Sequence, residues 1–127
     1  MSNGLLISIN PQYADKIFNG EKKWEFRKVL PKQDFDYLLV YSTAPQSKVV
    51  GWVKVSSILA APPDEVWKHC HKNGGVEKDF FDQYYSGKDK AIAFELGEVH
   101  LFSEVRDLSY YGVKTAPQSY VYYRGEL

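Results

Sequence analysis

The order of the apolar segments constrains the fold of this chain more than any other feature of its sequence. Five or six short runs rich in β-branched and aromatic residues are separated by turns that contain glycine or proline. Two segments with helical character, at residues 62–71 and 77–85, follow one another directly instead of alternating with strands. A doubly wound sheet needs that alternation, so the pattern predicts an α+β fold with a mixed, barrel-like β-sheet and two or three short helices.

The predicted elements have clear local signals. Strands are expected at residues 5–9, 22–27, 37–42, 48–60, 91–96 and 120–123, with a continuation at 98–101 beyond a kink at Gly97. The first helix begins at Asn10–Pro11, an N-cap residue followed by proline in the first turn, and ends at Asn19–Gly20. Gly51, inside the fourth run, predicts a bulge or the close approach of a neighbouring backbone.

Length, charge and cysteine content exclude several classes of protein. The 127 residues are expected to form one domain, residues 1–127, and 16 basic residues balance 16 acidic ones. This neutrality argues against a strongly basic, non-specific nucleic-acid binder, but it permits a small basic cleft. One cysteine excludes an internal disulfide framework. Without an apolar run of about 20 residues or a secretory signal, we expect a cytoplasmic protein with no membrane partner.

The stretch from Gly20 to Arg27 alternates charged and aromatic residues. In an extended strand, Trp24 and Phe26 share one face, while Lys23, Glu25 and Arg27 share the other. Such a strand buries its aromatic side chains and exposes its charges. The simplest interpretation is a solvated strand face whose ion pairs each contribute less than about 1 kcal/mol.

A functional interpretation of the same stretch requires a cleft. Within one, Lys22 and Arg27 can hold a phosphate or a polar base edge, the lysine as a point charge and the arginine through its planar fork. Glu25 can accept a hydrogen bond from a base or act as a general base. These three residues are therefore the principal candidates for a binding site, and Lys22 and Glu25 are the candidates for catalysis.

Further candidates lie at one strand end and in the C-terminal tail. Tyr41, beside Ser42, is the aromatic residue expected to stack on a base, whereas core packing is expected for Trp24 and Trp52. The tail supplies a cation, an amide, a hydroxyl and another ring at Lys114, Gln118, Ser119 and Tyr120. An amide can read a base edge through two hydrogen bonds. The alternative is that the tail only plugs one end of the barrel.

The sequence His69-Cys70-His71 resembles a metal-binding cluster only superficially. Neighbouring residues on a helix point about 100° apart and do not readily share one ion. The same geometry leaves Cys70 without a positioned base. No glycine-rich phosphate loop is present in the sequence. We therefore predict neither a metal site nor a bound cofactor.

The motif Gly20-x-Lys22-x-x-Glu25-x-Arg27 resembles the signature of the ASCH domain, a branch of the PUA-like superfamily. The preceding segment, from Leu6 to Ile17, is similar to the first strand and helix of that family. The segment from Gly112 to Ser119 resembles the ending of a small single-domain group within it. The resemblance implies a PUA-like β-barrel with helices at its openings. It also implies a cleft beside the first helix that takes RNA or a nucleotide-like ligand.

Some members of the family are enzymes, and the residues used by one of these enzymes can be compared with this sequence. A branch of similar size hydrolyses acetylated cytidine with a lysine, a threonine and a glutamate. Lys22 matches the lysine, but Glu25 stands at the threonine position, and no carboxylate is found near Asn73, where the glutamate is expected. This activity is therefore not transferred to the chain. A ribonuclease activity also occurs in the family, without residues that can be matched here.

Three hypotheses follow for the function. The first is a module that binds RNA or a nucleotide through a charged cleft. The second is a hydrolase that acts on a modified nucleoside or on RNA at the same cleft, with Glu25 as general base and Lys22 stabilising developing negative charge. The third is a regulatory module whose protein partner covers the cleft.

Overall fold

The computed structural model describes residues 3–127. Within this range, nine helices and strands follow one another: β1 (Gly4–Ile9), α1 (Pro11–Phe18), β2 (Trp24–Arg27), β3 (Tyr37–Ser42), β4 (Lys48–Ala61), α2 (Pro63–Cys70), α3 (Lys78–Tyr84), β5 (Ala91–Arg106) and β6 (Tyr120–Tyr123). Short 3₁₀ turns lie at His71–Asn73 and Leu108–Tyr111. None of the helices between residues 3 and 127 is long or apolar enough to cross a membrane.

The described strands form one mixed sheet in the order β2-β5-β4-β3-β1-β6. β1 and β3 pair in parallel, with Leu6 opposite Leu39, and the remaining pairs are antiparallel. The sheet curls into a half-barrel, and three α-helices accompany it. The predicted α+β class with a mixed, barrel-like sheet and two or three short helices is thereby confirmed.

Apolar side chains on both sides of the sheet hold the helices in place. Ala14 and Ile17 of α1 are buried against the strands of the central sheet. At the β2 end, Trp24 and Phe26 pack with Val66 and Phe81, which anchor α2 and α3. The prediction that Trp24 and Phe26 belong to the core is confirmed, and their packing fixes β2 between the helices and β5.

The second strand is shorter than the sequence predicts. It begins at Trp24 rather than at Lys22, because the two preceding amides bond elsewhere. The Lys22 amide donates to the carbonyl of Lys16 at 2.9 Å, and the Lys23 amide donates to the carbonyl of Asn73 at 2.7 Å. Lys22 therefore lies between the end of α1 and the start of the sheet, and the alternation of faces does not govern its side chain.

Glycines shape the two longest strands. Gly51 sits at register shifts, and a Cβ added to it would lie 2.3 Å from the carbonyl oxygen of His100, which confirms the predicted close approach. The strand predicted to continue beyond Gly97 does so, to Arg106, and its register with β4 shifts between the pairs Val55–Leu96 and Val53–Val99, which lie on either side of this glycine. A Cβ on Gly97 would lie 2.7 Å from Ser56 Oγ, so this glycine permits close contact with β4.

Candidate functional site

A cavity of about 180 Å³ opens between the end of β1, the start of α1, β2 and α3. One half of its wall is polar and comprises Ser8, Asn10, Lys22, Glu25 and Arg27. The other half is mainly aromatic and comprises Tyr13, Phe26, Phe80, Phe81 and Tyr84, with Ile9 and Val76 between them. The cavity thus combines buried charge with flat apolar surfaces.

Arg27 connects the carboxylate of Glu25 to other parts of the fold. Its Nε and Nη2 lie 2.9 Å and 2.8 Å from Oε2 of Glu25. Nη2 also donates to the carbonyl of Ser8 at 3.0 Å, and Nη1 donates to Oγ of Ser119 at 3.2 Å. The guanidinium therefore holds Glu25 in place and joins β2 to β1 and to the C-terminal tail.

Lys22 is the least exposed charged residue of the site, with a relative exposure of 2%. Its Nζ donates to the carbonyl of Gly74 at 2.7 Å and lies 3.8 Å from Oε1 of Glu25. The ammonium also faces the rings of Phe26 and Tyr13, at 4.8 Å and 5.6 Å from their centroids. Lys22 is therefore held from several sides and not by one partner alone.

Burial lowers the pKa of Lys22 below its usual value of 10.5. The negative charge of Glu25 works against this effect, whereas the positive charges of Arg27 and Lys16 lower the pKa further. Lys22 gives up its proton more readily than an exposed lysine does. Such an amine can act as a hydrogen-bond donor when charged and as a base when neutral.

The structure brings Lys22, Glu25 and Arg27 together in this cavity. Their side chains are 2%, 8% and 16% exposed. The interpretation of this stretch as a solvated strand face with surface ion pairs is therefore wrong. Packing of α1 and α3 over β2 covers a face that would otherwise contact solvent, and Lys23 is the lysine that remains exposed.

The C-terminal tail is hydrogen-bonded to two residues of the cavity wall, Ser8 and Arg27. Oγ of Ser8 donates to the carbonyl of Pro117 at 2.7 Å, and the Ser8 amide donates to the carbonyl of Ser119 at 2.9 Å. Ser119 also contacts Arg27, whereas Gln118 is exposed between these anchors. Tyr120 packs against Tyr122 and against the core. Neither Gln118 nor Tyr120 lines the cavity, so their contact with a ligand stays a prediction.

Three other predicted site residues lie away from this cavity. Tyr41 is buried in a separate cluster with Leu6 and Tyr111. Ser42 is also buried, and its hydroxyl has no hydrogen-bond partner in the described part of the chain. Lys114 lies by a shallow depression near the second 3₁₀ turn. A ligand role for these residues stays a prediction that this cavity does not support.

The aromatic half of the wall contains residues that were not among the predicted site residues. Phe80 is 46% exposed, and its ring centroid lies 5.7 Å from that of Tyr13 and 6.2 Å from that of Tyr84. Nζ of Lys28 lies 4.5 Å from the Tyr84 centroid. The spacing of Phe80 and Tyr84 predicts one face of a helix, but their distance in sequence from β2 concealed that they line the same cavity as Glu25.

The histidines beside Cys70 do not converge on a metal position. The ring of His69 packs edge-on against Trp24, whereas the ring of His71 stacks on Trp67. Burial raises the pKa of the Cys70 thiol to about 12. Among residues 3–127, no group of three or more histidine, cysteine, aspartate or glutamate side chains is placed to hold a metal ion.

The fold and the charged cavity are those expected from the resemblance to the ASCH domain, and comparison with known families gives the same result. The model of the ASCH domain family matches residues 7–106. The chain therefore belongs to the ASCH domain family. Residues 20–27, whose motif resembles the signature of this family, supply Lys22, Glu25 and Arg27 to the cavity wall.

Individual relatives extend this result. The chain is 32% identical over 119 residues to the large ribosomal subunit protein uL22 of Ureaplasma parvum serovar 3, covering 93% of this chain and 38% of that protein. It is 27% identical over 92 residues to the ASCH domain-containing ribonuclease of Zymomonas mobilis, covering 72% and 62% of the two chains. The chain thus spans less than two thirds of the length of either relative.

Solved structures show the same fold. The crystal structure of the ASCH protein from Zymomonas mobilis superposes with a TM-score of 0.87 at 24% identity, covering 95% of this chain and 87% of that one. A structure of the same protein with a serine replaced by alanine also gives a TM-score of 0.87, at 23% identity, covering 95% and 88%. Because the sequence identity is below 25%, these superpositions show that the folds are alike and nothing about function.

Removing Glu25 should destabilise the protein strongly. Glu25→Ala leaves two cations, Lys22 and Arg27, buried together without their carboxylate, and we expect a loss of about 3–5 kcal/mol in the free energy of unfolding. Glu25→Gln keeps a hydrogen-bond acceptor and should lose less. Urea denaturation of both variants measures this, and a Glu25→Ala variant as stable as the wild type would contradict the burial of the cluster.

The lowered pKa of Lys22 should make stability depend on pH with a defined sign. Between that pKa and 10.5 the unfolded chain binds the proton more strongly, so the free energy of unfolding rises with pH across this window. Lys22→Met removes the titration while keeping the length of the side chain. The stability of the wild type relative to Lys22→Met should therefore increase as the pH rises toward 10.5. A pH-independent difference in chemical denaturation would contradict the assignment.

Proposed function

We propose that the cavity binds RNA, or a ligand resembling a nucleotide, by taking up one base. The observation that supports this most directly is the burial of Lys22, Glu25 and Arg27 in one cavity that also has an aromatic wall. Buried ion pairs are often no more stabilising than apolar residues of similar volume. Three charges at the wall of an open cavity are better explained by a ligand that uses them.

The size of the cavity limits what enters it. An apolar cavity of about 150 Å³ accommodates benzene, and the volume here is about 180 Å³. A single aromatic ring system fits this space, whereas several linked nucleotides do not. The rest of an RNA strand therefore stays outside, and the exposed ring of Phe80 at the cavity wall is available for stacking.

The polar half of the wall has hydrogen-bonding capacity left for a ligand. Oε2 of Glu25 accepts from Arg27, which leaves Oε1 able to accept from a ligand. Lys22 uses one of its three N–H bonds on the carbonyl of Gly74. A base edge with a donor beside an acceptor matches this pair. Arg27 already donates from all three nitrogens, so its main role is to hold Glu25 in place.

Hydrolysis of RNA at the same site is the second candidate function. One relative is named an ASCH domain-containing ribonuclease, and it is 27% identical to this chain. In this role Glu25 is the candidate general base, and Lys22, 3.8 Å from its carboxylate, is the group that stabilises developing negative charge. Binding through the cavity is common to both candidates. A protein partner that covers the cleft remains the third hypothesis, without a contact that favours it.

Two adjacent lysines provide a matched test of the binding site. Lys22→Ala removes an ammonium from the cavity wall, and Lys23→Ala removes the same charge from an exposed position. We expect Lys22→Ala to weaken binding of a fluorescent single-stranded RNA at least tenfold, since a charged hydrogen bond contributes about 1.5–3 kcal/mol. Lys23→Ala should change the affinity by less than about threefold.

Fluorescence anisotropy at several salt concentrations measures these affinities and separates surface attraction from cavity binding. Equal losses in the two variants would mean that binding depends on surface charge, and no loss in either would exclude the cavity.

Electrophoresis of the same mixtures distinguishes the two candidate functions. RNA cleavage by the wild type that disappears in Glu25→Gln supports the hydrolase, whereas intact RNA supports binding alone.

Replacement of Phe80 tests the stacking role. A base stacked on an aromatic side chain contributes about 1–3 kcal/mol, so Phe80→Ala should weaken RNA binding by roughly 5- to 150-fold. Stability should change little, because the ring is half-exposed. Tyr110→Ala removes another exposed ring, one that does not line the cavity, and should bind RNA as the wild type does. Unchanged affinity in Phe80→Ala would remove Phe80 from the proposed site.

A further inference from the structure

Two consecutive glycines, Gly74 and Gly75, pack against Lys22 of the cavity. Gly74 and Gly75 lie between the 3₁₀ turn at His71–Asn73 and helix α3. The carbonyl of Gly74 accepts a hydrogen bond from Lys22 Nζ at 2.7 Å. The carbonyl of Gly75 accepts one from Lys16 Nζ at 3.3 Å. This loop therefore contacts both lysines through its backbone.

Gly75 packs along the side chain of Lys22. A Cβ added to Gly75 would lie 2.8 Å, 2.9 Å and 3.1 Å from Cβ, Cγ and Cδ of Lys22. These atoms form the inner part of the lysine side chain, so rotation of its tip cannot relieve the overlap. Any residue larger than glycine would thus force a shift of either the Lys22 stem or the loop.

Backbone conformation alone does not account for this contact. Gly75 has a φ of +71°, but Gly20 and Gly87 also have positive φ, at +89° and +77°, and an added Cβ on either meets nothing within 4 Å. Gly74 has an ordinary φ of −81°, yet its Cβ would lie 3.1 Å from Cζ of Phe26. The two glycines of this loop therefore share one property, close approach to residues of the cavity wall.

We propose that the Gly74–Gly75 loop is a positioning element for Lys22, in which the absence of a Cβ on Gly75 sets the lysine stem and the Gly74 carbonyl orients its ammonium toward Glu25. The expected effect on RNA affinity rests on the proposed function of the cavity. The effect on the position of Lys22 is independent of that function, since it is a property of the protein alone. The two can therefore be tested separately.

A matched pair of substitutions isolates the contact from backbone strain. Asparagine tolerates a left-handed backbone better than most residues, so Gly75→Asn and Gly87→Asn impose similar strain. Only the first places a Cβ against Lys22. NMR of the lysine side-chain resonances, assigned with Lys22→Met, follows the titration of Lys22. Anisotropy with single-stranded RNA follows binding.

In Gly75→Asn we expect the pKa of Lys22 to rise toward 10.5, because a displaced ammonium regains contact with water. RNA affinity should fall on the order of tenfold or more, as misplaced catalytic or binding groups commonly cause. Gly87→Asn should keep both properties of the wild type.

If Gly75→Asn does not fold, Gly74→Ala provides a second variant without backbone strain. Its Cβ presses on Phe26 and should move the Gly74 carbonyl from Lys22, with the same direction of pKa change.

The outcomes separate the positioning role from the function of the site. An unchanged Lys22 pKa in both Gly75→Asn and Gly74→Ala would overturn the positioning role, whatever happens to RNA binding. A raised pKa that appears equally in Gly87→Asn would overturn it as well. A raised pKa confined to the loop variants, with no RNA binding by the wild type, would support the positioning role and reject the proposed function.

Discussion

The carboxylate of Glu25 is the group on which the rest of the site depends. One of its oxygens accepts from Arg27, and the other faces the ammonium of Lys22. Neither cation is well exposed to water, so each relies on this carboxylate to offset the loss of hydration. The net neutral composition of the chain conceals this local arrangement, in which two positive charges share one negative charge inside a small cavity.

Much of the fold follows from local patterns in the sequence. The run at residues 37–42 is apolar and rich in β-formers, and Asn10–Pro11 starts a helix where N-cap and proline preferences place it. Gly51 marked a close approach of backbones that the structure confirms. These features depend on residues that are near one another in the chain, which is why sequence alone predicts them.

The sequence predicts the charged residues of the site but not its aromatic residues, and the two differ for a physical reason. Lys22, Glu25 and Arg27 lie within six residues, and their spacing resembles a known signature. Their burial could not be predicted, since it depends on helices that return from residues 63–84. Phe80 was missed for the same reason. Tyr41 was expected to be available for stacking, but it is buried because the segment around Tyr111 covers it.

The contact between Arg27 and the carbonyl of Ser8 has a consequence for how the half-barrel is closed. β2 is the first strand in the sheet order and β1 the fifth, and the two are not paired within residues 3–127. In a complete barrel, a ladder of main-chain hydrogen bonds closes such a seam. Here a guanidinium spans the gap instead, and the cavity lies within it. The seam is thus held by side chains that also face the cavity, so a ligand bound there as proposed would stabilise the closure of the half-barrel as well.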